Sequence, residues 1–182
     1  MSLPRVFIDA CVLFPGLVRE IVLTSARDRF SPVWSQRVLD EWRLAVARKQ
    51  GAEAENSVLR ASEAMAKAFP DAVLPPQPVL EQQIALPDPA DAHVVAAASG
   101  RTDIVLTFNL RDFPRRVLAG HNLTARDPDG FLWEIFSDDP GAMSVVIGAV
   151  LAEMRISHDD GRKALKRARL PRLGKAWEAM RT

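Results

Sequence analysis

The chain has 182 residues, 48% apolar and 26% charged, which suits one domain with a real core, or one domain plus an appendage, and argues against disorder. The formal charge of +1 hides an asymmetry: residues 155–182 carry nine Lys or Arg against three Asp or Glu (+6), so the rest sums to −5. Cys11 is the only cysteine and the three histidines are scattered, which excludes an intrachain disulfide and leaves no zinc-ligand spacing.

Residues 6–8 read as a buried strand that ends on Asp9 and runs into Ala-Cys-Val-Leu-Phe-Pro-Gly16. Arg5 and Asp9 interrupt this apolar run, against a signal peptide, and no apolar run reaches membrane-spanning length; the expectation is a cytoplasmic protein without membrane association. Leu17, Ile21 and Val22 carry helical spacing over residues 17–29, and residues 31–35 read as a connection. Ser35 is placed as the N-cap of a helix from 36 to about 49, closed by Gly51, with Val38, Leu39, Trp42 and Val46 as its apolar stripe and Glu41 off the stripe's centre. Residues 52–69 form a further amphipathic helix. A break with Pro75-Pro76 follows, holding a short strand at 72–74, and residues 79–86 fit neither template.

Asp88-Pro-Ala-Asp91 opens an alanine-rich helix to residue 98 whose small side chains predict close packing. Residues 104–107 are the central strand, and polar character starts abruptly at its end, with Thr107, Asn109 and Asp112. A helical turn at 114–118, an edge strand at 123–126 and helices over 127–136, 140–154, 157–168 and 171–180 complete the chain. Strands alternating with helices predict an α/β fold with a mostly parallel sheet. The four tryptophans are placed as packing residues, and His93 as packed or surface.

Open α/β sheets place their sites outside the carboxyl ends of the strands. Asp9, Asp91 and Asp112 all fall where that edge would be, with Glu41 on a neighbouring helix. Each has a plain structural alternative: Asp9 as a helix cap, Glu41 as a solvated side chain, Asp88 and Asp91 as an ordinary helix start, Asp112 as a turn residue paired with Arg111 or Arg115. Converging carboxylates would raise one another's pKa, and a divalent cation such as Mg2+ or Mn2+ removes that cost while serving phosphoryl chemistry. Thr107 and Asn109 are suited to orienting a carboxylate or a water.

Phe-Ile-Asp9-Ala-Cys-Val-Leu, Val-Leu-Asp-Glu41-Trp, Pro-Asp88-Pro-Ala-Asp91-Ala-His-Val-Val and Val-Leu-Thr107-Phe-Asn109-Leu-Arg-Asp112-Phe-Pro resemble, in order and spacing, the motifs of PIN-domain ribonucleases over roughly residues 5–136. The branch most similar is that of the VapC-like toxins of bacterial toxin–antitoxin pairs. The resemblance implies a three-layer α/β/α domain over 1–136, with residues 137–182 as a helical extension packed on or beside it. It implies Asp9 and Asp91 as metal ligands for Mg2+ or Mn2+, with Glu41 and Asp112 completing the catalytic acids. Asp88, Thr107 and Asn109 then stand behind them. It implies RNA as substrate, a cognate antitoxin and a homodimer. The extension lies outside the family's core pattern; its Arg162, Lys163, Lys166 and Arg167 suit RNA phosphates, an antitoxin or plain solvent equally. A different class of function stays open: a non-catalytic RNA-binding or regulatory module whose acids receive a partner's basic side chain. A phosphoryl-aspartate enzyme is disfavoured, because Ala10-Cys11-Val12 brings no second acid and no glycine-rich nucleotide loop is present.

Overall fold

The computed structural model describes residues 3–180. Its centre is a five-stranded parallel sheet of order β3-β2-β1-β4-β5. The strands are β1 (Arg5–Ile8), β2 (Ser31–Ser35), β3 (Val73–Leu74), β4 (Ile104–Leu106) and β5 (Thr124–Arg126). Between them run α1 (Ala10–Leu13), α2 (Gly16–Ala26), α3 (Gln36–Gln50), α4 (Glu55–Ala68), α5 (Pro78–Glu81), α6 (Ala92–Ala98) and α7 (Arg115–Ala119). After the sheet come α8 (Pro128–Asp138), α9 (Pro140–Glu153), α10 (Gly161–Arg167) and α11 (Pro171–Ala179). The architecture is the expected three-layer α/β/α kind with a helical C-terminal region. No single helix among the described residues is long and apolar enough to cross a membrane.

By internal contacts the chain forms two compact units, Met1–Phe14 with Asp28–Arg126, and Pro15–Arg27 with Asp127–Thr182. The first holds the sheet. Val6, Phe7 and Ile8 of β1 are fully buried, as befits a parallel strand covered on both faces. Every residue of α6 is buried, so its alanines let the helix sit close to its neighbours. Ser35 caps α3 by accepting the Val38 N–H at 3.3 Å, and Gly51, at φ 90°, ends it.

One expectation is corrected. Residues 31–35 are not a connection but strand β2, lying between β1 and β3. Pro32 argued against a central strand because it donates no hydrogen bond. Ser31 N–H bonds Pro4 O on the β1 side, whereas Trp34 N–H bonds Ala72 O on the β3 side. Alternation turns the Pro32 nitrogen toward β3, which pairs only with Trp34 and Ser35. No ladder bond is lost there. Residues 79–86, unassigned from sequence, begin within the short helix α5.

The second unit is helical. Leu17, Val18, Ile21 and Val22 of α2 are buried, as are Met143, Ile147, Val150 and Leu151 of α9. Gly161 opens α10 where a Cβ would stand 2.6 Å from the Trp177 ring and 2.8 Å from Leu151, so only glycine permits that approach. Asp129 of α8 is buried, and its two carboxylate oxygens accept the N–H groups of Arg172 and Leu173, each at 3.0 Å, at the start of α11.

Candidate active site

The strand order reverses direction between β1 and β4, because β2 lies on one side of β1 and β4 on the other. In open α/β sheets this switch point is where ligands sit, at the carboxyl ends of the strands. Ile8 is paired with Leu106, and Asp9 N–H bonds Leu106 O at 3.1 Å. The next residues, Asp9 and Thr107, therefore leave the sheet side by side. Both are buried, at 6% and 0% exposure.

Asp9 begins α1 but makes no cap hydrogen bond. Its Oδ2 is held by two side chains instead. The Thr107 hydroxyl donates to it at 2.7 Å and the Cys11 thiol at 3.0 Å. Those two donors are themselves held by backbone: Phe108 N–H donates to Cys11 Sγ at 3.2 Å and Asn109 N–H to Thr107 Oγ1 at 3.0 Å. Burial, and after it the Asp9 charge, push the Cys11 pKa up to about 12, so the sulfur stays a thiol and a donor at neutral pH. Cys11, which the sequence offers neither a disulfide partner nor zinc-ligand spacing, is a member of the site all the same. Asn109 acts through its backbone N–H, and its side chain is exposed.

Asp88 and Asp91 part company. Asp88 caps the helical turn Pro89–Asp91, its Oδ1 accepting Ala90 N–H at 2.9 Å. Asp91 stands at the start of α6 with no cap bond. Its carboxyl is half-buried and its pKa is pushed up to about 6, first by burial and then by the negative charges of Asp9, Asp88 and Asp112, with His93 opposing. Four carboxyl groups from three chain segments thus share one electrostatic neighbourhood.

Glu41 points to other partners. Its Oε1 receives Arg37 Nε at 3.3 Å and lies 3.0 Å from His93 Nε2. The histidine contact is one of distance only, since neither buried ring nitrogen makes a hydrogen bond. Arg37 also donates from its NH1 to Glu81 Oε1 at 2.8 Å and from its NH2 to Ala90 O at 3.3 Å. His93, read from sequence as packed or surface, is buried at 5% exposure against Glu41.

Among the described residues no three acidic, histidine or cysteine side chains already close around one point that could take a metal ion. Mg2+ needs less than that, because it keeps several waters and uses one or two protein carboxylates. All the clustered donors are oxygens, the kind hard divalent ions prefer. The pKa of Asp91, raised first by burial and then by its acidic neighbours, also marks a carboxylate that a cation would stabilise. Asp9 and Asp91 therefore fit such an ion. In the second unit, Arg162 pairs with Glu178, and Lys163 Nζ is 3.7 Å from Asp160 Oδ1; Lys166 and Arg167 are exposed.

The sequence profile of a family described as PIN domain matches residues 5–111, more than half of the chain and the stretch that carries Asp9, Glu41, Asp88, Asp91, Thr107 and Asn109. No curated protein and no solved structure matches the chain.

Proposed function

This chain belongs to the PIN-domain family, and from that premise we propose that it is a metal-dependent endoribonuclease of the cytoplasm, the toxin of a toxin–antitoxin pair. The family carries a nuclease fold; the RNA substrate, the toxin role and the VapC-like branch are our reading. One observation supports it most. The Asp91 carboxyl serves no helix cap, and at the sheet's switch point its pKa is raised first by burial and then by the charges of Asp9, Asp88 and Asp112. An ordinary helix start would not gather three further acids around its third residue.

Asp9 and Asp91 would hold Mg2+ or Mn2+, with Asp112 and Glu41 completing the acidic set. When bound, the ion lowers the cost of charge at the phosphate and the pKa of water. The chain's own contribution is preorganisation. Thr107 and Cys11 fix Asp9 through Oδ2, which leaves Oδ1 as the oxygen for the ion. Asp88 holds the turn that presents Asp91, and the buried face of α6 keeps that turn against the sheet. On this reading Lys166 and Arg167, beside the paired Arg162 and Lys163, contact RNA phosphates. An antitoxin would inhibit by placing a basic side chain among the acids, and the enzyme would act as a homodimer.

Cleavage of an end-labelled RNA panel in Mn2+, Mg2+ and EDTA tests this. We expect cutting in metal only, and loss of about two orders of magnitude or more in Asp9→Ala, in keeping with the size of electrostatic effects on catalysis. Wild-type rates in Asp9→Ala would sink the assignment. A second reading, a non-catalytic module that receives basic side chains, is favoured by one contact: Glu41 already engages Arg37. That reading expects RNA binding that is indifferent to metal.

A further inference from the structure

Arg37 is a cation beside the acidic cluster, bonded to the carbonyl of the residue that precedes Asp91. It sits one helical turn before Glu41 on α3 and is about half exposed, at 48%. Its side chain has three tethers on three segments: Glu41 on its own helix, Glu81 on α5, and the carbonyl of Ala90, the residue before Asp91. A guanidinium has five N–H donors in a planar fork. Three are used by these acceptors, and the remaining two have no acceptor among the described residues. A plain surface ion pair would leave the arginine free to swing, at little energetic gain. Three acceptors on three segments instead fix the plane of the fork, at the rim of a cluster whose net charge would repel a polyanion.

We propose that Arg37 is a phosphate-binding residue, holding a backbone phosphate of RNA beside the acids. The proposal rests on the ribonuclease reading and extends it to how a negatively charged strand approaches a negatively charged site. Planar N–H pairs suit phosphate oxygens better than the point charge of a lysine does. The tethers to Glu41 and Glu81 leave the charge in place while fixing its direction, so little order is lost on binding.

The test uses the full chain with Arg37→Ala, Arg37→Gln and Arg37→Lys, each first checked for a cooperative thermal transition. Three quantities are read: KM and kcat for RNA cleavage in Mn2+, the salt dependence of RNA binding in Ca2+, and Mn2+ affinity by calorimetry without RNA. We expect KM to rise about tenfold in Arg37→Ala and Arg37→Gln. The slope of log K against log salt should fall by about 0.7, one phosphate contact on a single strand. Mn2+ affinity should stay within about twofold. Arg37→Lys should keep the slope while raising KM by less than Arg37→Ala does. An unchanged salt slope with weakened Mn2+ binding would overturn the proposal and leave Arg37 as a brace for Glu41. Wild-type protein that neither binds nor cuts any RNA would overturn the ribonuclease reading itself, and this proposal with it. Wild-type cleavage with an unaffected Arg37→Ala would overturn this proposal alone.

Discussion

At the level of single residues, the site is a contest between charge and burial, and Asp91 shows the sign. Its pKa is raised from 3.8 to about 6 in the folded protein. The native state therefore binds the proton more tightly than the unfolded chain does between those values, and stability falls as pH rises through that window. Above it, without metal, the ionised carboxylate opposes the fold. Asp91→Asn should thus raise stability in EDTA at pH 7 by about 1 kcal/mol, after allowance for a half-exposed group. It should leave stability unchanged below about pH 4. Urea melts at the two pH values check this; a stabilisation that persists at pH 4 would mean that packing, not charge, is responsible. Asp9, Asp91 and Asp112 were legible in the sequence because each closes or opens an element at the same end of a parallel sheet. Cys11 was not, since the Phe108 N–H that holds its sulfur comes from 97 positions away. Arg37 lies at i−4 from Glu41, a pairing that helical spacing alone makes visible, but its bonds to Glu81 and Ala90 are tertiary.

Between elements, two Asp-Pro starts read alike and do different work. Asp88 caps its own turn and leaves Asp91 to the cleft. Asp127 caps α8 by accepting Gly130 N–H at 2.9 Å, and Asp129 turns inward to accept two N–H groups of α11. An N-cap supplied by another helix has no signature in local sequence, which is why Asp129 gave no hint of its burial. Replacing it with Ala orphans two N–H groups at a helix start. We expect a cost of about 2 kcal/mol, and a smaller one for Asp129→Asn, which keeps an acceptor. Thermal denaturation followed by circular dichroism checks the order of the two variants; equal melting points would show that solvent replaces the lost acceptor. Helical periodicity placed most helices to within a few residues. Strand β2 departs from the expected connection: Pro32 is a strand breaker by rule, and the late start of β3 leaves no ladder bond for it to lose.

For the molecule as a whole, the alternation of strands and helices was enough to predict a parallel α/β sheet, and the family pattern supplied its layers. The membership of the second unit was not legible. Helix α2 has the same amphipathic look as any helix of an α/β fold, yet its contacts group it with residues 127 onward. A chain ending at residue 126 keeps α2 without the helices that join it in that unit. Such a fragment should bind an apolar dye strongly and elute as aggregates, and the full chain should do neither. A monomeric fragment that melts cooperatively would show that α2 finds cover elsewhere. The same interleaving sets a schedule for synthesis. About 100 residues separate α2 from its partners, so at 5–20 residues per second the helix leaves the ribosome roughly 5–20 s before they do. Through that interval the nascent chain carries Leu17, Val18, Ile21 and Val22 without those partners, a natural foothold for a chaperone.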